Sequence, residues 1–543
     1  MRERRKLTGF QILTDPARNA GTAFTSEQRE AMRLHGLLPP VVETLDQQCE
    51  RAYRAFLHKT DDLERHIYLR ALQDTNETLF YALLLRHIEE MAPVIYTPIV
   101  ALGCRHFSQI YRRPRGLFLS WPLRGRLDEM LANRPYADVD VVVVTDGERV
   151  LGIGDQGAGG MGIAIGKLSL YTLIGGVPPE RTLPVLLDTG TNNAELLADP
   201  EYIGWRHPRI AEDAYWAFVD AFVEAVDRCL PGVLLQWEDF AQPHARPILE
   251  RYRDRLCTFN DDIQGTASVT LAALYGATRR IGMPFAQQRF VIAGAGSAGV
   301  GLADYLVCAL VAEGLSERDA AERCLLVNSG GLLRSGDPRL TPAQRRYARD
   351  EAPATLAEVI ERHRPTTLIG LSTVPGLFSQ DIVGRMCAAT PRPIIFPLSN
   401  PADRAEAAAA DLIAWTNGAA IVATGSPTAP VTWNGRVIHI TQCNNFYVFP
   451  AMGLAAVAGS IRRVTDGMLL AIARDLGGRT SMVDGDLLLP PLRDVRSVVP
   501  ELSLAAVLQA QREGRAPDIP AEEIRTRIAN RFWMPSYPAS FQG

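Results

Sequence analysis

The sequence predicts an α/β protein with a helical N-terminal region, a central parallel sheet and a second, Rossmann-like α/β unit. Three observations carry that prediction. Up to about residue 92, apolar residues recur at helical spacing. From about residue 115, short apolar runs alternate with helical stretches, the rhythm of a parallel sheet covered on both faces. Near residue 290, a strand pattern runs into Gly294-Ala-Gly-Ser-Ala-Gly299 and then into a helix pattern.

Taken in order, Leu45 to Leu57 and Asp61 to Leu72 are predicted helices. Asn76 to Met91 is the strongest helix pattern, capped by Asn76 and followed by Pro93. Tyr96-Thr97-Pro98 reads as a turn. Leu117 to Ser120, Val139 to Thr145, Leu183 to Leu187 and Val233 to Gln236 are the strands of the first sheet. A helix pattern runs from Thr266 to about Arg279. In the second unit the strands are Arg289 to Ala293, Cys324 to Val327, Thr367 to Gly370, Ile394 to Pro397 and Ala420 to Ala423, with a helix over Val300 to Ala312. After Tyr447-Val-Phe-Pro450 the chain returns to helix, which is expected to pack back on the first sheet. The tail ends in Arg531-Phe532-Trp533 and Tyr537, a set suited to anchoring on another subunit.

A chain of 543 residues exceeds one core and predicts two to four domains. The net charge of -4 and pI of about 6.2 recommend neither nucleic acid nor an anionic membrane as a partner. Eight Cys without a CxxC or zinc spacing read as reduced, mostly buried thiols of a cytoplasmic protein. No apolar run follows the basic Met1 to Lys6, so no signal peptide is expected, and no apolar stretch is long enough to predict a membrane span.

Acids placed after strands are the first candidates for chemistry, because open parallel sheets bind ligands beyond their carboxyl ends. Val144-Thr-Asp146-Gly and Trp237-Glu238-Asp239 are two such places. Phe259-Asn-Asp261-Asp262-Ile-Gln-Gly-Thr266 sets two carboxylates before a helix, where Asp is also a good cap. Glu238, Asp239 and Asp262 offer hard oxygen donors, which favour Mg²⁺ or Mn²⁺ over zinc. Between Leu151 and Gly166 stand seven glycines, marking backbone that turns sharply or approaches something closely. Lys167 follows and opens an apolar stretch; a buried lysine loses basicity and serves as a base near neutral pH. Tyr96 is a candidate hydroxyl acid and Arg149 a candidate carboxylate binder. Asn400, Asn444 and Asn445 lie at strand or loop ends, where turn chemistry also favours Asn.

Gly294, Gly296 and Gly299 let the backbone approach a pyrophosphate at the N-terminus of the helix that Ser297 opens. The next strand ends in Asn328 instead of the acid that would hold the ribose of NAD, and Arg334 lies nearby. This element therefore leaves both NAD and NADP open.

Together these residues resemble the malic enzyme family over nearly the whole chain. The motifs are Gly21-Thr-Ala-Phe-Thr25, Gly36-Leu-Leu-Pro-Pro40, Tyr96-Thr-Pro98, Arg113-Pro-Arg-Gly116 and Val144-Thr-Asp-Gly-Glu-Arg149, then the glycine loop to Lys167. They continue with Trp237-Glu-Asp-Phe240, Phe259 to Thr266, Leu398-Ser-Asn-Pro401 and Asn444-Asn445. Gly154-Asp-Gln-Gly157 and Gln442-Cys-Asn-Asn445 point to the bacterial NAD-linked members. The resemblance implies oxidative decarboxylation of L-malate to pyruvate and CO₂ with reduction of NAD, NADP remaining open. It gives Lys167 the role of base, Asp261 that of its partner and Tyr96 that of acid. It gives Glu238, Asp239 and Asp262 to Mn²⁺ or Mg²⁺, and Arg149, Asn400, Asn444 and Asn445 to the substrate. Arg149, Asp262, Gly294, Gly296, Ser297, Gly299, Asn328 and Asn400 fall to the dinucleotide.

The family plan also implies four parts: a helical domain over 1–114, a catalytic α/β domain over 115–260 completed by 445–516, a NAD-binding domain over 261–444 and a tail over 517–543. Assembly as a homodimer or homotetramer follows from the same resemblance. Fumarate-activated animal members use a Gln and two Arg in the helical domain; Gln48 and Arg51 match, but Thr75 stands at the second Arg, so fumarate activation is not expected. The runner-up is the related malolactic enzyme, suggested by Trp237-Glu-Asp-Phe240 and Leu371-Ser-Thr-Val-Pro-Gly376 and opposed by the Arg149 stretch. A non-catalytic nucleotide sensor on this scaffold would have lost Tyr96, Lys167 or a metal acid, and none is lost.

Overall fold

The computed structural model describes residues 8–479 and 485–538. The basic run Met1 to Lys6 lies outside the described residues. The chain divides into two compact units, Met1–Val233 with Ala529–Gly543, and Leu234–Ile528.

The first unit opens with helices. Thr44 caps Leu45–Leu57, Asp61 caps Asp62–Thr75 and Asn76 caps Glu77–Arg86, each side chain accepting from a main-chain N–H of the first turn. The long helix expected from Asn76 to Met91 is two. The chain breaks at His87 (φ -126°, ψ 39°) and resumes as Ile88–Ile95, with Pro93 inside the second helix instead of after it. The break is tertiary in origin: the His87 ring stacks on Tyr53 with centroids 3.7 Å apart.

Three strands follow: β1 (Leu117–Ser120), β2 (Val141–Thr145) and β3 (Thr182–Asp188). They pair in parallel in the order β1-β3-β2. β2 is buried along its whole length, as a continuous apolar run predicts. The C-terminal segment Arg531–Tyr537 makes contacts within its own chain. Trp533 meets Tyr81 edge to face at 5.5 Å, and the Tyr537 hydroxyl donates to Gln48 Oε1 at 2.7 Å.

The second unit begins with β4 (Leu234–Trp237) and β5 (Thr258–Asn260), paired in parallel with Trp237 opposite Asn260. A seven-stranded sheet follows, built from β6 (Phe290–Ala293), β7 (Cys324–Asn328), β8 (Gly331–Leu332), β9 (Thr367–Gly370), β10 (Ile394–Pro397), β11 (Ile421–Thr424) and, after the hairpin β12 (Val431–Trp433) and β13 (Arg436–Ile438), β14 (Thr441–Gln442). Its order is β14-β11-β10-β9-β6-β7-β8, parallel except for the β7–β8 pair. Val291, Leu325, Leu368 and Ile395 build its core with Phe378 and Val383 of the covering segments.

The late helices Phe449–Gly459, Asp466–Gly478 and Leu492–Arg512 return as expected, the first against β4. They also hold the helix Thr266–Ile281. Ser268 Oγ donates to the Leu469 carbonyl at 2.8 Å, and Asp466 accepts from Gln264, Tyr305 and Arg253. Among the described residues no helix is long and apolar enough to cross a membrane.

Candidate functional site

β4 and β5 are parallel neighbours, and Glu238-Asp239 and Asp261-Asp262 leave them at the same edge. That register brings acids 23 residues apart in sequence into one cluster. Glu238, Asp239 and Asp262 each offer a carboxylate oxygen, all within 4.8 Å of one another. Glu238 and Asp239 are buried and Asp262 half-buried. Gln236 Nε2 donates to Glu238 Oε2 at 2.8 Å, and the Asp239 main-chain N–H donates to Asp262 Oδ2 at 2.8 Å. Asp239 sits in the left-handed region at φ 56°, a conformation that costs energy in any residue but Gly. Three converging carboxylates repel one another unless positive charge joins them, and an all-oxygen set suits a hard divalent cation. These residues therefore fit the Mg²⁺ or Mn²⁺ expected of them.

The capping reading of the adjacent aspartates is corrected. Asn260 is the cap, its Oδ1 accepting from the Ile263 N–H at 2.9 Å. Asp261 and Asp262 instead occupy a π-helical turn, Asp261–Gly265, ahead of the long helix. Asp261 is fully buried and accepts from Asn445 Nδ2 at 2.9 Å through Oδ2. Gly265 makes room for it, since a Cβ there would run into Asp261 Oδ1. Asn445 Nδ2 also reaches Thr266 Oγ1 at 3.1 Å, and Asn444 caps the following turn by accepting from the Phe446 N–H.

In the first unit the glycine-rich stretch is not all loop. After a 3₁₀ turn, Gly157–Gly160, it becomes the helix Met161–Leu173, so Lys167 lies mid-helix. Gly162 and Gly166 cost such a helix about 1 kcal/mol each. Close packing explains them: a Cβ on Gly162 would press on Cys104, and one on Gly166 on the Ile95 carbonyl and the Tyr96 ring, both at 3.2 Å. Lys167 is 1% exposed, with Nζ 5.4 Å from the centre of the Tyr96 ring. Tyr96 closes the helix Ile88–Ile95 and is itself buried. Arg149 is exposed on the turn after β2. Asp146 is the acid singled out at that strand end. It accepts from the Tyr215 hydroxyl at 2.7 Å and lies fully buried, which raises its pKa.

The glycine fingerprint lies between β6 and the helix Ser297–Ala312. Gly294 takes φ 118° against the Leu371 carbonyl, and a Cβ on Gly299 would strike the Gly294 carbonyl. Gly296 has open space where its Cβ would stand, as close approach of a phosphate requires. Asn328 ends β7 exposed, its Oδ1 accepting from the Gly330 N–H at 2.8 Å. Asn400 follows β10, its Oδ1 accepting from Ser426 Oγ at 2.6 Å.

Glu406 was not anticipated. It is fully buried and joins the loops after β9 and β10, accepting from Ser372 Oγ at 2.7 Å and Ser399 Oγ at 2.6 Å. Its signal in the sequence is a lone acid inside an alanine run.

Two family models match the chain: "Malic enzyme, N-terminal domain" over residues 73–253 and "Malic enzyme, NAD binding domain" over residues 263–511. The chain is 51% identical over 538 residues to the NAD-dependent malic enzyme of Edwardsiella ictaluri, covering 97% of this chain and 95% of that one. It is 49% identical to the NAD-dependent malic enzyme of Pectobacterium carotovorum, with the same coverage of 97% and 95%. Among solved structures, its fold is similar to a malic enzyme of Entamoeba histolytica (TM-score 0.58, 23% identity, 92% of this chain and 91% of that one). It is also similar to one from Pyrococcus horikoshii (TM-score 0.55, 24% identity, 82% and 89%).

Proposed function

This chain belongs to the malic enzyme family, and on that footing we propose how its own residues carry out the NAD-linked oxidative decarboxylation of L-malate to pyruvate and CO₂. The observation that carries the reading is Lys167, a fully buried amine beside the Tyr96 ring. A chain that spends stability on burying an amine in an apolar helix uses that amine.

Lys167 takes the proton of the malate C2 hydroxyl as the C2 hydride leaves, giving a ketone at C2. The C4 carboxylate then departs as CO₂, its bonding electrons passing to C3. Tyr96 delivers a proton to C3 and so completes pyruvate. Asp261, fixed by Asn445, is the carboxylate assigned to set the proton state of the base. Arg149, exposed beyond β2, holds a substrate carboxylate, with Asn400, Asn444 and Asn445 orienting substrate and nicotinamide ribose. Glu238, Asp239 and Asp262 would hold the divalent cation, and Gly294, Gly296, Ser297, Gly299 and Asn328 the dinucleotide. When bound, the cation supplies Lewis-acid stabilisation of negative charge and NAD the hydride acceptor.

Further readings rest on the same footing. The four-part division at 1–114, 115–260 with 445–516, 261–444 and 517–543 is supported at one boundary, since the two family models meet between residues 253 and 263. Assembly as a homodimer or homotetramer is supported by exposed apolar side chains clustered early in the chain, Phe10, Leu37, Val41 and Val42. A cytoplasmic location is supported by eight unbridged cysteines. The test of the whole is product analysis with malate, Mn²⁺ and NAD. Pyruvate with matching NADH supports it; lactate without net NADH refutes it.

A further inference from the structure

The helix Asp62–Thr75 turns His66 and Arg70 toward the segment that carries Tyr96. His66 Nδ1 bonds the Val94 carbonyl at 2.8 Å, and Arg70 Nη2 donates to the Ile95 carbonyl at 2.7 Å. Ile95 is the last residue of its helix, so its carbonyl has no intrahelical partner and sits at the negative end of the helix dipole. A guanidinium is the donor suited to it. The same guanidinium donates through Nη1 to Ser169 Oγ at 3.1 Å and to Gln73 Oε1 at 2.6 Å. Ser169 stands two residues beyond Lys167 on the helix Met161–Leu173, and Gln73 Nε2 reaches it as well, at 3.2 Å. Gln73 is held in turn, its main-chain carbonyl accepting from Arg115 Nη2 at 3.0 Å, while Arg115 pairs with Asp74 and Glu77 at 2.8 Å each.

Arg70 thus spans the two backbones that present Tyr96 and Lys167. We propose that Arg70 is a positioning residue for the reaction, its planar fork fixing the Tyr96 hydroxyl and the Lys167 amine relative to each other. This rests on the assignment of Tyr96 as acid and Lys167 as base. Its three hydrogen bonds named above all go to neutral oxygens. Desolvation and the neighbouring Arg115 push its pKa down to about 10, which leaves it charged at neutral pH. A half-buried guanidinium whose hydrogen bonds reach two catalytic segments, with none to a carboxylate, does more there than cover surface. Lysine cannot replace it, because a point-like ammonium does not span both acceptors with one rigid group.

The test compares full-length wild type with Arg70→Lys, Ser169→Ala, Tyr96→Phe and the double variant Arg70→Lys/Tyr96→Phe, assayed with malate, Mn²⁺ and NAD. Misplacing a catalytic group by about 1 Å costs roughly 100-fold. Arg70→Lys is expected to lower kcat by about 10- to 100-fold, with KM for malate changed by no more than about twofold. Because the spacing of the Tyr96 hydroxyl from the Lys167 amine matters only while that hydroxyl is present, adding Arg70→Lys to Tyr96→Phe should cost no more than about threefold beyond Tyr96→Phe alone. Ser169→Ala cuts the strut at its other end and should show the same pattern more weakly, which keeps the test open if Arg70→Lys does not fold. A full-speed Arg70→Lys beside a slow Tyr96→Phe, or full additivity of the two, overturns the role of Arg70 alone. A Tyr96→Phe enzyme with full turnover overturns the acid assignment itself.

Discussion

Asp262 Oδ2 accepts the main-chain N–H of Asp239 at 2.8 Å. One hydrogen bond therefore ties the two strand ends from which the metal acids come. It also explains why Asp239 can hold a left-handed backbone at φ 56°: its amide is satisfied in that pose and its carboxylate faces the cluster.

Asp262→Asn keeps an oxygen for that amide and removes one charge from the site. The variant should stay folded and lose Mn²⁺ affinity by at least ~10–100-fold, the loss typical of disturbing even an outer partner of a metal site. Titration calorimetry with Mn²⁺ and a thermal melt measure the two separately. Unchanged affinity would remove Asp262 from the cation site.

Lys167→Ala and Tyr96→Phe should each lower turnover by roughly 10²–10⁴-fold, the range of a lost general base or acid. Lys167→Ala also removes a buried polar amine, so its melting point should not collapse with its rate. Full turnover in Lys167→Ala would contradict the base assignment.

His66 is buried, and desolvation pushes its pKa from 6.5 down to about 4. The native histidine therefore stays neutral while the unfolded one takes up a proton. Stability is complete above about pH 6.5 and falls with pH toward 4, by roughly 3 kcal/mol in all. His66→Asn keeps a donor for Val94 and removes the titration. Its melting temperature should depend less steeply on pH between 7 and 5 than that of the wild type; parallel curves would show that His66 does not contribute.

Fumarate should leave malate saturation unchanged. Gln48 is committed to the Ala20 carbonyl, Thr22 and Tyr537, Arg51 to Glu43, and Thr75 Oγ1 donates back to its own helix at Ala71. Initial rates over a malate series with and without fumarate check this, and tighter malate saturation would contradict it.

The strands were legible because buried parallel strands read as continuous apolar runs. Thr367–Gly370 and Ile394–Pro397 are such strands and fall where the pattern puts them. The His87 break was not, because a ring stacked on Tyr53 from another helix leaves no local trace. Residue types at the site were legible from motifs, but their division of labour was not. Whether an Asp caps or faces a cluster depends on Asn260 taking the cap, which spacing does not reveal. Glu406 was invisible for the same reason, since its partners Ser372 and Ser399 come from two other strand ends.

The most direct test is a single set of initial-rate measurements with L-malate and Mn²⁺, comparing NAD with NADP and assaying pyruvate, lactate and reduced dinucleotide together. Pyruvate and NADH should form in equal amounts with NAD and stop when the cation is chelated. Lactate without net NADH, or undiminished turnover in excess chelator, would contradict the account.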